Sequence, residues 1–444
     1  EWIPLLLRLS EGLTAQEFAD GQHLTGEQRR IAWRNAVQVP ELYTESRIGA
    51  GDGPYITALM SAGYLMKDFL EDEQLRIDLR RAIETVTPGL TLDRTSLPPP
   101  GPKPPKPKKP QPDAEAAEKV AAAPANTVVM GIIDDGIAFA HERFRKIVGG
   151  AIQSRVANLW LQDGPYDPAG SVPSGSELTG AQITNLMNNS MIAGEVEEEL
   201  VYRQAHLIDF QQPGHKSAAW RIAHGTHVMD LACGFDPSPP RHDRPIIAVQ
   251  LPIRVTADTA GASLFPHVVL GILYILDRAS QIPGAANAPV VVNLSYGRLE
   301  GPHDGTADIE FAIQLLVALS GGRLNVVLPA GNSYLSRTHA QVTFTADNEE
   351  KELQWRVLPD DRTPGFMEIW LPRRSFGPFV SRLDATITSP IGERHTISEG
   401  GPPVQWGGAA PFYAEAYAWF SLLTGRTMIR LSARPTTDLT PGAP

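Results

Sequence analysis

The stretch Thr127-Val128-Val129-Met130-Gly131-Ile132-Ile133-Asp134-Asp135-Gly136-Ile137 decides how the chain is read. A continuous apolar run rich in β-branched residues, without polar alternation, is a strand buried on both faces. Such strands belong to parallel sheets covered by helices. The run closes on an acidic residue, and functional groups of open α/β sheets stand at this place, where strands end. Taken alone, Asp-Gly after a strand is also an everyday turn.

Runs of the same kind return at residues 246–251, 290–294 and 326–328, with helical patterns between them at 265–279 and 309–319. Strands alternating with helices mean a parallel sheet covered on both faces, so an α/β domain is expected over 126–337. The acidic stretch 163–200 interrupts this order and reads as a long surface insertion, with Glu197-Glu198-Glu199 as a solvated face. Residues 338–434 change character. Strand-like segments at 341–346, 353–358, 367–371, 385–388 and 428–432 predict a β-rich module, a sandwich or small barrel, ending in a loop over 435–444.

Upstream, residues 1–92 read as mainly helical, with Leu75, Leu79 and Ile83 forming one apolar stripe among charges. Between the two regions, 93–125 contains Pro98-Pro99-Pro100-Gly101-Pro102-Lys103-Pro104-Pro105-Lys106-Pro107-Lys108-Lys109-Pro110. Proline fixes φ and removes backbone donors, so this is an extended linker, with a PxxP ligand as the other reading.

Composition narrows the function classes. Of 444 residues, 42% are hydrophobic and 20% charged, as in ordinary globular proteins. A formal charge of −11 speaks against a general nucleic-acid binder, and the one basic cluster lies in the Pro-rich segment. No apolar run approaches the roughly 20 residues that span a bilayer, so no membrane partner is expected. The single cysteine, Cys233, excludes an intrachain disulfide. The run 3–7 lacks the basic flank and cleavage site of a signal peptide.

Two further stretches carry chemistry. Ala223-His224-Gly225-Thr226-His227-Val228-Met229-Asp230 reads as a helix N-terminus, where glycine lets other backbone approach an imidazole. His224, His227 and Asp230, at i, i+3 and i+6, also allow a metal reading, though the spacing is loose for zinc. Val290-Val291-Val292-Asn293-Leu294-Ser295-Tyr296-Gly297 and Val326-Val327-Leu328-Pro329-Ala330-Gly331-Asn332 are buried strands ending in small or polar residues.

In this order the motifs resemble those of the subtilases, the subtilisin/kexin-like serine peptidases: Asp-Asp-Gly at 134–136, His-Gly-Thr-His at 224–227, Asn-x-Ser-x-Gly at 293–297 and Ala-Gly-Asn at 330–332. The resemblance spans about 126–332. It implies a subtilisin-like parallel sheet flanked by helices, carrying a serine-type endopeptidase. His224 would be the general base, Asp134 would orient it, and Asn332 would donate its amide to the oxyanion. Ser295, Tyr296 and Gly297 would offer a strand edge to an extended polypeptide substrate, and Ala330 and Gly331 would line the pocket before the scissile bond. Asp135 is the kexin-like variant. Met229-Asp230 departs from the family's Ala-Gly and puts tight helix packing in doubt. No catalytic cofactor is implied; structural calcium occurs in the family, but no ligands for it can be assigned.

The family's Gly-Thr-Ser-x-Ala-x-Pro motif does not occur after Asn332, where the β-rich module would stand as an inserted domain. The expectation is therefore a fragment whose nucleophilic serine lies outside this chain. The rivals are an inactive subtilisin-like module that binds peptides or regulates, and a metal-dependent hydrolase. For the first 92 residues, a propeptide, a partner-docking module and a spacer all remain open.

Overall fold

Asp134 ends a central strand of a six-stranded sheet in the computed structural model of the chain. The structure describes residues 2–89, 122–168, 170–208, 223–258, 261, 263–361, 364–372, 383–407, 414–421 and 426–436. The proline-rich linker expected over 93–125 lies almost wholly outside these residues. The chain divides into two compact units. One comprises Glu1–Ala257, Ala262–Gly297 and Asp308–Pro329, the other Asp258–Gly261, Arg298–Ala307 and Ala330–Pro444.

The first unit opens with β1 (Trp2–Leu9), α1 (Glu27–Ala36), β2 (Val37–Gln38), β3 (Tyr55–Ser61), α2 (Glu73–Ala82) and β4 (Ile83–Pro88). The strands form an antiparallel sheet in the order β2-β3-β1-β4. This corrects the helical expectation for residues 1–92. The apolar run at 3–7 is too short for a buried helix and is satisfied as a strand paired on both sides, with Leu5, Leu6 and Leu7 buried. Of the helical stripe, Leu75 and Leu79 lie on α2, whereas Ile83 already belongs to β4.

An aromatic cluster closes this region. The His23 ring stacks on Phe18, with centroids 4.8 Å apart, and meets Trp33 edge-on. Both ring nitrogens are buried without a partner, and burial pushes the imidazole down to about 4 against the pull of Asp78. A depressed folded-state value means the neutral ring stabilises the fold fully above about 6.5, and that stability is lost as pH falls toward 4. By pH 5 about 2 kcal/mol should be gone. Urea unfolding followed by tryptophan fluorescence should show the loss in the parent chain and its absence in His23→Phe; equal acid sensitivity in both would contradict it.

The α/β core follows: β5 (Val129–Asp134), β6 (Val156–Leu161), β7 (Ser176–Thr179), α3 (Gly180–Asn189), α4 (His224–Cys233), β8 (Ile246–Gln250), α5 (Phe265–Ser280), β9 (Val290–Leu294), α6 (Asp308–Leu319) and β10 (Leu324–Val327). The strand order is β10-β9-β5-β8-β6-β7, parallel except for β7. From β5 the chain moves to one side through β6 and β8, then returns to the other through β9 and β10. β5 is thus the switch point, the place beside which open α/β sheets generally bind their ligands.

Helix α5 is apolar on nearly all sides because it lies between two sheets, touching β5 and β8 on one side and β1 and β3 on the other. Gly131 permits this closeness, since a Cβ there would stand 3.0 Å from Ile275 and 2.8 Å from Val292. The stretch 163–200 is not merely a surface insertion. It supplies edge strand β7 and helix α3, whose Ile183 and Met187 are fully buried. Within it Glu177 accepts from Arg278 at 2.5 Å and from Tyr274 at 2.8 Å. Sequence reading missed β6, whose polar Asn158 interrupts the apolar run.

The second unit holds β11 (Gly365–Trp370), β12 (Ala385–Thr388), β13 (Arg394–Ile397), β14 (Val404–Trp406), β15 (Ala414–Ser421) and β16 (Arg426–Ala433). An antiparallel sheet β11-β16-β15-β14 and the β12-β13 hairpin share one core around Trp406, Ile429 and Leu431. Residues 341–346 and 353–358 form no strand, contrary to expectation. Their apolar side chains, Val342, Phe344, Leu353 and Leu358, are exposed, and Trp355 alone joins the core.

Candidate active site

Asp134 is fully buried where β5 emerges at the switch point. Its main-chain carbonyl accepts from Leu251 N at 2.8 Å, which ties it to the end of β8. Helix α4 brings His224 to it across 90 residues of sequence, with Nδ1 2.7 Å from Asp134 Oδ1. That oxygen also accepts from Asp135 N at 2.8 Å. An ionised carboxylate only accepts, so Nδ1 is the donor, and in the neutral ring the lone pair is then on Nε2. Burial pushes the Asp134 carboxyl up to about 6, opposed by the hydrogen bonds from His224 and Asp135. His224 stays open to solvent, with 53% of its side chain exposed.

The close approach depends on two neighbours of the histidine. A Cβ on Gly225 would stand 2.0 Å from Asp135 O and 2.9 Å from Asp134 Cβ, so only glycine lets the helix start against the strand end. Thr226 Oγ1 donates to Gly136 O at 2.6 Å and accepts from Ala138 N at 2.8 Å, clamping the helix to the turn after β5. Sequence reasoning overlooked the threonine's clamp, whose signal was its fixed place between the two histidines. Asp135 was noted only as a motif variant, although it stands in the same cluster.

Met229 and Asp230 do not loosen the helix. Met229 is fully buried in the core with Ile132 and Cys233, and Asp230 accepts from Arg143 Nε at 2.9 Å. That ion pair turns Asp230 to Arg143, and His224, His227 and Asp230 do not converge. The set that comes together among the described residues is Asp134, Asp135 and His224, each offering a ligand atom within 4.8 Å of the others.

Tyr296 follows β9 and meets the His224 ring edge-on, centroids 5.7 Å apart. Burial, then the Asp135 and Asp134 carboxylates, push its phenol well up. Ser295 Oγ accepts from Asn293 Nδ2 at 2.9 Å, and Gly297 is exposed. Ala330, Gly331 and Asn332 open the second unit and are all exposed.

On β10, beside this site, one face of the sheet is exposed among the described residues. Register pairs Val291 with Asn325 and Asn293 with Val327, so the four share a face of β9 and β10. Ile132, paired with Asn293 and packed with Met229 of α4, puts α4 on that same face. Asn325 and Val327 are nevertheless exposed, Val327 by 50%, while Val290, Val292 and Leu324 on the opposite face are buried.

No protein-family model matches the chain, and no curated protein does. Among solved structures the chain is similar to the Clostridium perfringens CspB protease, with TM-score 0.44 and 18% identity over 70% of this chain. The match takes in 58% of the length of that structure.

Proposed function

We propose that this chain carries the aspartate–histidine half of a subtilisin-like serine endopeptidase site, with the nucleophilic serine supplied by a segment outside it. The observation that carries the reading is the 2.7 Å contact between exposed His224 and buried Asp134 at the switch point of a parallel sheet. An aspartate so placed holds the imidazole in the tautomer that takes a hydroxyl proton, and stabilises the imidazolium that results. Asn332 is the oxyanion donor of this proposal on the strength of motif order.

A helix from such a segment has a place on the face of β10 that is exposed among the described residues. Parallel sheets are covered on both faces, and a helix laid there would lie beside α4. The substrate is an extended polypeptide, pairing along Ser295-Tyr296-Gly297, with Ala330 and Gly331 assigned to its pocket on motif order alone. For the first 88 residues the propeptide reading gains support, because they form an α+β region with β1 and β3 laid on α5.

A fluorophosphonate probe, which labels only an activated serine, tests the proposal. This chain should not react or cleave casein. A chain extended past Pro444 to the next Gly-Thr-Ser-x-Ala motif should do both, and His224→Ala in it should abolish labelling. Labelling of the present chain would refute the outside serine. A longer gene without such a motif would replace the peptidase by an inactive peptide-binding module.

A further inference from the structure

Two carboxylate oxygens beside His224 are buried without a partner among the described residues: Asp134 Oδ2, on a residue 0% exposed, and Asp135 Oδ1. Unpaired carboxylate oxygens hidden from water are costly, and a cation is what such atoms lack. The two aspartates make, with the histidine, the cluster in which each residue offers a ligand atom within 4.8 Å of the others. The geometry points to a reversible cation site of the zinc class at Asp134, Asp135 and His224, where metal replaces the proton shared by His224 and Asp134.

The donor set chooses the metal. Calcium and magnesium take oxygen ligands, whereas imidazole with carboxylates suits zinc. Three protein ligands leave the fourth tetrahedral position open, and the exposed side of His224 gives an ion its way in. Metal–ligand bonds near 2.1 Å put tetrahedral donor atoms about 3.4 Å apart, so the cluster needs to contract by at most about 1.4 Å. As the ion enters, His224 changes tautomer: Nδ1 gives up its proton and its lone pair goes to the metal, Nε2 takes a proton from solvent so that the ring stays neutral, and both carboxylates stay ionised. The effect on function rests on the peptidase reading. A cation on Nδ1 lowers the basicity of the ring, and Asp134, now a ligand, no longer supports an imidazolium. The site is then off until the metal leaves.

The 444-residue chain is titrated with Co²⁺, read by its absorption, and with Zn²⁺ in competition with a chromophoric chelator. One saturable site is expected. His224→Ala and the isosteric Asp135→Asn should each weaken it about tenfold or more. His227→Ala should leave it unchanged, as should His339→Ala, which breaks the stacked His303–His339 pair, 5.9 Å between centroids. No saturable uptake at micromolar metal, or uptake that survives both His224→Ala and Asp135→Asn, overturns the inference. The readout needs no nucleophile, so the two ideas fail separately. A chain that ignores zinc, with an extended form that labels, removes only the metal site. Zinc binding without labelling in the extended form removes only the peptidase.

Discussion

Asp134→Asn, in a form of the protein that carries its nucleophile, is expected to lower kcat about 10⁴-fold. An asparagine keeps the shape of the site but cannot hold Nδ1 as the donor and stabilise the imidazolium. The same substitution should raise stability. Burial has pushed the Asp134 carboxyl up to about 6, so the folded chain binds its proton more tightly than the unfolded chain does. A raised value means stability is complete below about pH 4 and declines as pH rises through 6. At pH 8 the ionised group costs about 3 kcal/mol, which asparagine avoids. The parent enzyme should lose kcat/KM as pH drops through about 6, where Asp134 takes up its proton. Steady-state kinetics and urea midpoints across pH check both halves. A variant that turns over at the parent rate would reduce Asp134 to an ordinary strand end.

Gly225→Ala should damage fold and site together. The added Cβ would lie 2.0 Å from Asp135 O, a backbone atom that cannot rotate aside. Helix α4 must then back away from β5, at about 3 kcal/mol for overpacking at a rigid contact. The same movement carries His224 from Asp134, and misplacement by about 1 Å costs on the order of 10²-fold in rate. Thermal unfolding and kcat in the extended protein measure the two effects. Loss of stability with kcat retained would mean that the His224–Asp134 contact re-forms by rotation of the imidazole.

Local pattern made the core strands legible. Ile132, Ile133 and residues 246–249 are apolar without alternation because helices cover them, and periodicity reports that directly. Helix α5 could be read for the same reason. The first 88 residues misled because their strands are short and their helices are the conspicuous periodic segments. The apolar run in β1 is equally consistent with a buried turn of helix until its partners β3 and β4 are known. Residues 341–346 and 353–358 failed in the opposite sense. Their β-propensity is real, but no neighbouring strand pairs with them, and propensity without a partner makes no sheet.

The chemistry divides along the same line. By itself the sequence determined which residues were candidates, because Asp-Asp-Gly, His-Gly-Thr-His, Asn-x-Ser-x-Gly and Ala-Gly-Asn stand in one order. It also determined that Gly225 must admit a close neighbour, since a missing Cβ is a local fact. Only the tertiary structure decided which neighbour that is: Asp135 O, brought 90 residues along the chain to the helix start. Only the structure placed Asp135 in the same cluster as the pair, gave Asp230 to Arg143, and left Asn325 and Val327 of β10 exposed. The physical reason is that side-chain identity and periodicity are written locally. Distance, burial and the pKa they set arise from strand order, which no single stretch of chain contains.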